Sequence, residues 1–419
     1  MRIGIIGLGD MGRLYARSFA IAGHEVYGAD LDHLNAQLGV ELLPQNINVL
    51  ENGHEVARRA DFLIFCVEAE YIAAVVEMYA HSVKFGAIVS GQTSVKTPEI
   101  EAFDQFLSAD VHIVSCHSLH GPSFNTENQT LIVIRHRATD EHYQEALAVY
   151  GSLKSKIIEM SDYKTHDRIM ADTQAITHMG FESMGSAWKN AKFFPWDNAA
   201  YTEGIDNVKI LITLRIFSYK SHIYAGLAIL NPYAREQVRA YAKAEGELFK
   251  LMISEKEEEF RNIIYEARNF IFHHQDKLLL LDDQVMKEFS LSTTIHQAKA
   301  NSHLSILSMV YAWFKMKINP YDNLICQTPP FRLRLGIAEY LFRNDQMLEQ
   351  SIQAALYDKS IRMDDLEFHT AVHEWASLIE YGDMKGYKEH FEAAKKFFSN
   401  RLENGLKQSA EMINRLFES

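Results

Sequence analysis

A glycine-rich turn near the start of the chain has the residue types and spacing of a phosphate-binding loop. Gly7, Gly9 and Gly12 follow the apolar run of residues 2–6 at once and precede a helical pattern. Glycines in this order allow a tight turn, let the backbone approach a pyrophosphate, and let the helix pack closely on the strand. The sequence therefore predicts a dinucleotide site formed by Gly7, Leu8, Gly9, Asp10, Met11 and Gly12.

An acidic residue ends the second apolar run. Asp30 follows Glu25–Ala29 at roughly the distance from the glycines that the dinucleotide motif expects for its ribose-binding acid. A carboxylate there accepts hydrogen bonds from the ribose 2′-hydroxyl and repels a 2′-phosphate. The local chemistry therefore favours NAD, although Arg13 and Arg17 on the first helix are cations that could approach a phosphate.

Two polar segments follow later apolar runs. Residues 91–96, which include Ser94, come directly after Ala87–Ser90, and residues 116–122, which include His117, come after His112–Ser115. Ligands of open α/β sheets bind beyond the carboxyl ends of the strands. We therefore expect both segments to be loops at a ligand-binding edge.

A third polar segment lies on a predicted helix. At about 100° per residue, His166 shares a helix face with Met170 and Thr173, and Gln174 shares a neighbouring face with His178. So much polarity on a packed helix indicates that it lines a wet cleft.

A pair of histidines near the C-terminus has the spacing of metal ligands on a helix. His369 and His373 are four residues apart, but the segment lacks the glutamate of a His-Glu-x-x-His motif and supplies no clear third ligand. The sequence therefore predicts no metal site.

The elements around these residues change character along the chain. Short apolar runs alternate with helical patterns up to about residue 160, and helical periodicity dominates afterwards. This predicts an α/β Rossmann-type domain with a doubly wound parallel sheet at residues 1–160. An all-α domain for substrate binding and dimerisation follows at 161–419, with a further division near 290–300. The predicted strands are Arg2–Ile6, Glu25–Ala29, Phe62–Val67, Ala87–Ser90, His112–Ser115 and Leu131–Arg135.

Composition excludes several classes of protein. The net charge of −13 over 419 residues argues against a nucleic-acid partner, and the three scattered cysteines argue against a disulfide framework. No apolar run reaches the roughly 18 residues that a membrane span needs. We expect a cytoplasmic protein that binds neither nucleic acid nor membranes.

Together these segments resemble one enzyme family. The glycine turn, His117-x-x-x-Gly121-Pro122, His166-Asp167 and His178 are similar to prephenate dehydrogenase, and five further segments bring the chain closer to the fungal-type enzymes of tyrosine biosynthesis. These segments are Gly91–Lys96, Met184–Trp188, Tyr224–Ala228, Asn301–Ser305 and Tyr340–Phe342. The resemblance implies oxidative decarboxylation of prephenate to 4-hydroxyphenylpyruvate. It also implies a homodimer and NADP as cofactor, against the preference for NAD that Asp30 indicates; we expect NADP and keep NAD as the alternative.

The resemblance also assigns roles to individual residues. It implies that His117 is the base that accepts the proton of the substrate's 4-hydroxyl group, because a neutral imidazole is available near neutral pH. Ser94 matches the serine that hydrogen-bonds the same hydroxyl. His178, with His166 and Gln174, is expected to line the substrate cleft. Two substrate carboxylates require cations, for which Arg215 and Lys220 are the candidates.

Three alternatives remain open from the sequence. Arogenate, which carries an amino group in place of a keto oxygen, could be the substrate. The glycine turn also suits a β-hydroxyacid dehydrogenase, for which residues 180–190 imitate the lysine-bearing segment only loosely. A redox regulator that binds NAD(P) without turnover would need no base at His117.

Overall fold

The computed structural model describes residues 1–122, 125–197, 204–272, 280–281, 301–322 and 328–418. The chain forms two compact units, Met1–Ile169 and Met170–Ser419. The sequence predicted a boundary after residue 160, whereas the two units divide after Ile169. His166 therefore belongs to the first unit. The predicted division near 290–300 lies outside the described residues.

An eight-stranded sheet organises the first unit, in the order β3-β2-β1-β4-β5-β6-β7-β8. Neighbouring strands are parallel except β6 and β7, which are antiparallel. The sequence did not predict the outermost strands, because one has three residues and the other carries charged residues. The strands are β1 Arg2–Ile6, β2 Glu25–Ala29, β3 Ile47–Val49, β4 Phe62–Phe65, β5 Ile88–Gly91, β6 His112–Ser118, β7 Thr130–Arg137 and β8 Lys156–Met160.

Both faces of the sheet are buried, as the continuous apolar runs predicted. On β4, Phe62 and Ile64 belong to one apolar core and Leu63 and Phe65 to another, as the two-residue period of a strand requires. The doubly wound α/β fold is therefore confirmed. The helices are α1 Asp10–Ile21, α2 Asp32–Leu42, α3 Gly53–Arg59, α4 Ile72–Tyr79, α5 Thr97–Phe106, α6 Asp140–Gly151 and α7 Tyr163–Met170.

The described part of the second unit is helical. A π-helical turn occupies Ala171–Ala175, so a face count at 100° per residue does not carry through it. The α-helices are α8 Ile176–Asn190, α9 Gly204–Ser218, α10 Ser221–Ala225, α11 Ala234–Ile253, α12 Glu257–Phe272, α13 Leu304–Met316, α14 Pro329–Arg343, α15 Asp345–Tyr357, α16 Arg362–Glu380, α17 Met384–Phe397 and α18 Leu402–Glu418. Among the described helices, none combines the length and apolarity that crossing a bilayer requires.

Candidate active site

The glycine turn lies between β1 and α1. Gly7 has a φ of +94°, and a Cβ there would approach the Cys66 carbonyl oxygen at 2.5 Å. A Cβ on Gly12 would lie 1.9 Å from the Gly7 carbonyl oxygen, so the helix could not pack this close with any other residue. A Cβ on Gly9, in contrast, would meet nothing within 4 Å. The turn therefore leaves open space at the N-terminus of α1, as a pyrophosphate cradle requires.

The Asp30 carboxylate supports this turn. It accepts hydrogen bonds from the backbone N–H of Leu8 at 2.6 Å and from that of Leu31 at 2.8 Å. Both oxygens are thus already bonded to backbone donors, which lessens the repulsion that a free carboxylate would exert on a phosphate. For this reason Asp30 alone does not select NAD over NADP, contrary to the simplest interpretation of the sequence.

His117 is the first member of a buried hydrogen-bond chain. The sequence predicted that His117 lies in the loop after β6, but it lies within the strand itself. Its Nδ1 is 2.9 Å from Nε2 of His166, and Nδ1 of His166 is 2.8 Å from Oδ1 of Asp167. His166 and Asp167 are fully buried, and His117 is 7% exposed. The three side chains form a single line from β6 to α7.

Asp167 accepts hydrogen bonds from several directions. The backbone N–H of Lys96 donates to Oδ1 at 2.8 Å, and the N–H and hydroxyl of Thr97 both donate to Oδ2 at 2.7 Å. Burial by itself would raise the pKa of Asp167, but the bonds from His166, Lys96 and Thr97 lower it. The carboxylate is therefore ionised near neutral pH and ties α7 to the start of α5.

His117 and His166, the two histidines of this hydrogen-bond chain, are neutral near neutral pH. Burial lowers the pKa of His166 and outweighs the opposing effect of Asp167. Burial, followed by the charges of His166 and Lys96, lowers the pKa of His117 well below 6.5. Neither ring therefore carries a proton on both nitrogens.

These protonation states fix the tautomers. An ionised carboxylate only accepts hydrogen bonds, so the proton of His166 lies on Nδ1 and its Nε2 is an acceptor. His117 must then donate from Nδ1, which leaves the lone pair on its Nε2. In the described part of the chain no residue hydrogen-bonds to this Nε2. The arrangement presents a neutral, oriented base.

The loop that carries Ser94 is held by a buried ion pair. Lys96 Nζ lies 2.9 Å from Glu99 Oε1, and both side chains are fully buried. Glu99 also accepts hydrogen bonds from the N–H and hydroxyl of Thr93 and from Ser115. The half-buried Ser94 hydroxyl forms no hydrogen bond with the described residues. These contacts hold the loop on both sides of Ser94.

The second unit contains a different polar cluster, on α8 and α14. The Arg334 guanidinium donates from Nη1 to the Thr177 hydroxyl at 3.0 Å and lies 5.4 Å from the ring centre of Phe181. His178 is next to Thr177 on α8, and its buried Nδ1 has no hydrogen-bond partner among the described residues. Burial, and then the charge of Arg334, lowers the pKa of His178 well below 6.5. The cluster is cationic in character.

Arg334 has no neutralising partner among the residues that the structure describes. It is 2% exposed, its Nε has no hydrogen-bond partner, and no carboxylate of the described chain lies within ion-pair distance. Burial lowers its pKa to about 10. Among the groups that raise the pKa of Arg334, Tyr224 has the largest effect and Glu182 follows. Burial raises the pKa of Glu182 to about 7, and its carboxyl group accepts hydrogen bonds from the Tyr387 hydroxyl. A buried cation of this kind is the expected feature of an anion-binding site.

The other predicted substrate residues lie in settings that differ from the prediction. His166 was predicted to line the substrate cleft; it is fully buried, and its two ring nitrogens hydrogen-bond to His117 and Asp167. Arg215 bonds to the hydroxyls of Tyr219 and Ser409. Gln174 donates to the Met170 sulfur at 3.4 Å, and Lys220 is exposed before α10.

Sequence reasoning did not identify three residues of these two clusters. Asp167 could have been found from its position next to His166, but its acceptor role depends on Lys96 and Thr97, about seventy residues earlier. Glu99 has the pattern of a solvated acid in the first turn of a helix. Arg334 lies in an apolar helix far along the chain from His178.

Family models match both units. Residues 15–158 match the nucleotide-binding domain of prephenate dehydrogenase. Residues 175–418 match a C-terminal domain of the 6-phosphogluconate dehydrogenase type. The two matches leave only short segments of the chain uncovered.

Curated relatives match over nearly the whole chain. Prephenate dehydrogenase (NADP(+)) of Saccharomyces cerevisiae is 45% identical over 98% of this chain and 93% of its own length. Probable prephenate dehydrogenase (NADP(+)) of Schizosaccharomyces pombe is 42% identical over 100% of this chain and 98% of its own length. A crystal structure of prephenate dehydrogenase from A. aeolicus covers 64% of this chain and 96% of that chain, with a TM-score of 0.50 at 17% identity, which supports the fold. The chain belongs to the prephenate dehydrogenase family.

Proposed function

We propose that this protein is an NADP-dependent prephenate dehydrogenase, which converts prephenate to 4-hydroxyphenylpyruvate and CO₂. The observation that carries the proposal is the chain from Asp167 through His166 to His117, which leaves an acceptor nitrogen on a neutral imidazole. The reaction requires such a base, because the substrate's 4-hydroxyl proton must leave as hydride departs from the same carbon. Loss of the ring carboxylate as CO₂ then makes the ring aromatic.

His117 performs the proton transfer in this proposal. Its Nε2 accepts the hydroxyl proton, and the new positive charge is stabilised by the hydrogen bond to His166 and, through it, by Asp167. The ring is already oriented before substrate arrives, since His166 is itself held by a carboxylate with three further donors. Ser94 is proposed to hydrogen-bond the same substrate hydroxyl and fix its direction.

The glycine turn is proposed to hold NADP. The open space at Gly9 and the amides at the start of α1 suit a pyrophosphate. When bound, the cofactor supplies the acceptor for the hydride. The Asp30 carboxylate, bonded to Leu8 and Leu31, keeps the turn in shape. The names of the yeast relatives specify NADP(+), which supports NADP over NAD.

Arg334 is proposed to bind a carboxylate of the substrate, in place of the sequence-based candidates Arg215 and Lys220. Arg334 is buried without an ion-pair partner in the described chain, whereas Arg215 already bonds to Tyr219 and Ser409. A guanidinium forms charge-assisted hydrogen bonds with a carboxylate that are stronger than neutral ones. His178, beside Thr177, is proposed to act with Arg334 as a neutral hydrogen-bonding group.

A substrate assay tests the proposed function. Purified protein is mixed with prephenate or arogenate, each with NADP or NAD, and reduced nicotinamide and CO₂ are measured. We expect equal amounts of both products with prephenate and NADP. Turnover of arogenate but not of prephenate would identify arogenate as the substrate. No turnover with any combination of substrate and cofactor would contradict the proposal.

Three properties beyond the reaction stay predictions from the sequence. We infer a role in tyrosine biosynthesis, because 4-hydroxyphenylpyruvate carries the carbon skeleton of tyrosine. A cytoplasmic location and a homodimer are also inferred from the resemblance. Sedimentation of the purified chain distinguishes a dimer from a monomer.

A further inference from the structure

A second cluster of chemistry-bearing side chains lies on α11 and α16, apart from the residues proposed for catalysis. Nδ1 of His369 is 2.8 Å from Oε2 of Glu245, and Nε2 of His373 is 3.8 Å from the same oxygen. One ligand atom from each residue lies within 4.8 Å of the other two. Glu245 is the third ligand that the sequence around His369 and His373 does not supply.

The Glu245 carboxylate is incompletely satisfied by the protein. Its side chain is fully buried, and its Oε1 has no hydrogen-bond partner among the described residues. A buried carboxylate oxygen without a partner is costly, because it has lost its hydration. A cation beside it would remove this cost.

The surroundings keep both imidazoles close to the carboxylate. The His369 ring stacks on Phe249 with centroids 4.4 Å apart, which fixes its plane. A Cβ at Gly246 would lie 3.5 Å from Nε2 of His373, an ordinary van der Waals contact, so this ring lies close to the backbone of α11. Glu374 points elsewhere, with its carboxylate 3.7 Å from His390. The side chain of His373 is 49% exposed, so water can reach the cluster.

We propose that Glu245, His369 and His373 bind a Zn²⁺ ion. Two imidazoles and one carboxylate are a ligand set that Zn²⁺ uses, with water in the fourth position. Nitrogen ligands disfavour Mg²⁺ and Ca²⁺, which take oxygen ligands. The ion would join α11 to α16, and the proposal is independent of the reaction that the enzyme catalyses.

The test is metal binding by the full-length protein after dialysis against a chelator. Zn²⁺ is titrated by calorimetry, Co²⁺ binding is followed by its visible absorption, and thermal unfolding is recorded with and without Zn²⁺. We expect saturable binding of one ion per chain, Co²⁺ absorption typical of tetrahedral coordination, and a higher Tm with Zn²⁺.

Two variants make the test specific. His373→Ala removes the most exposed ligand and is expected to weaken Zn²⁺ binding at least about tenfold. His136→Ala is the matched control, because His136 forms a histidine–carboxylate pair with Asp104 at 2.9 Å that includes no second histidine. It should bind Zn²⁺ like the parent. Absence of saturable binding, or equal binding by His373→Ala and the parent, would overturn the proposal.

Discussion

Two buried histidines, one in each unit, have lowered pKa values but opposite surroundings. His117 donates from Nδ1 into a line of acceptors that ends at the ionised Asp167. Nδ1 of His178 has no hydrogen-bond partner among the described residues, and the charge of Arg334 acts on this ring. The hydrogen-bond chain from the first ring ends at a carboxylate, whereas the charge of a cation lowers the pKa of the second ring. In the proposed function, the same residue type transfers a proton in one unit and contacts an anion in the other.

The difference shows that burial alone does not identify a catalytic base. Burial is the largest cause of the lowered pKa in both residues. What separates them is the hydrogen-bond chain to Asp167, which His117 has, whereas Nδ1 of His178 has no hydrogen-bond partner among the described residues. Replacing His117, Asp167 and Arg334 one at a time tests whether the two histidines have different roles.

The largest effect is expected for His117→Asn. The variant lacks the proton acceptor, so kcat with prephenate should fall by about 10³–10⁴-fold, within the usual range for general-base catalysis. Affinity for NADP should stay within about twofold, because the glycine turn is untouched. Steady-state kinetics and cofactor titration measure both. His178→Asn is the matched control and should change KM more than kcat; an active His117→Asn enzyme would remove His117 from the mechanism.

A smaller loss is expected for Asp167→Asn, at about 10²–10³-fold in kcat. An amide that donates to His166 Nδ1 would reverse the tautomers of both rings and place a proton on His117 Nε2. Prephenate KM should change little. Thr97→Val is the control, because it removes one donor to Asp167 and keeps the backbone bonds. Full activity of a folded Asp167→Asn enzyme would show that the hydrogen-bond chain does not set the tautomer.

Arg334→Met is expected to raise the KM for prephenate by about 10- to 100-fold, the usual worth of a charge-assisted hydrogen bond. The Tm without substrate should be unchanged or higher, because the variant removes an unpaired buried charge. Arg215→Met should instead leave KM nearly unchanged and lower the Tm, since Arg215 bonds to Tyr219 and Ser409. A larger rise in KM for Arg215→Met than for Arg334→Met would indicate that Arg215 binds the substrate carboxylate.

The smallest effect concerns pH. The base must be unprotonated, and burial lowers the pKa of His117 below 6.5. Activity should therefore persist as the pH falls through 6.5 and decline only below it. The pH profile of kcat/KM measures the acid limb. A limb at or above the ordinary histidine pKa would mean that a different group, or a solvated one, acts as the base.

The sequence predicted the parts of this account that depend on neighbouring residues. The glycine turn, the strand before it and the alternation of strands and helices follow from local pattern and are confirmed. Membership of the prephenate dehydrogenase family was also predicted correctly from short motifs. These features are readable because their physical causes lie within a few positions of one another.

The features that could not be predicted from the sequence depend on contacts between residues that are far apart in the chain. The partners of Asp167 lie about seventy residues away, and Thr177 and Arg334 are more than 150 residues apart. A helical pattern shows that a face is buried but not which charge faces it. For this reason the sequence offered Arg215 and Lys220 as carboxylate anchors and did not identify Arg334 as a candidate.

The tautomer of His117 is the most direct test of the central claim. Nitrogen-15 NMR of protein with labelled histidine, with His117→Asn used to assign the signals, reports which ring nitrogen carries the proton. Near neutral pH we expect a neutral ring with the proton on Nδ1 and a bare Nε2. A protonated Nε2, in either a neutral or a charged ring, would contradict the account.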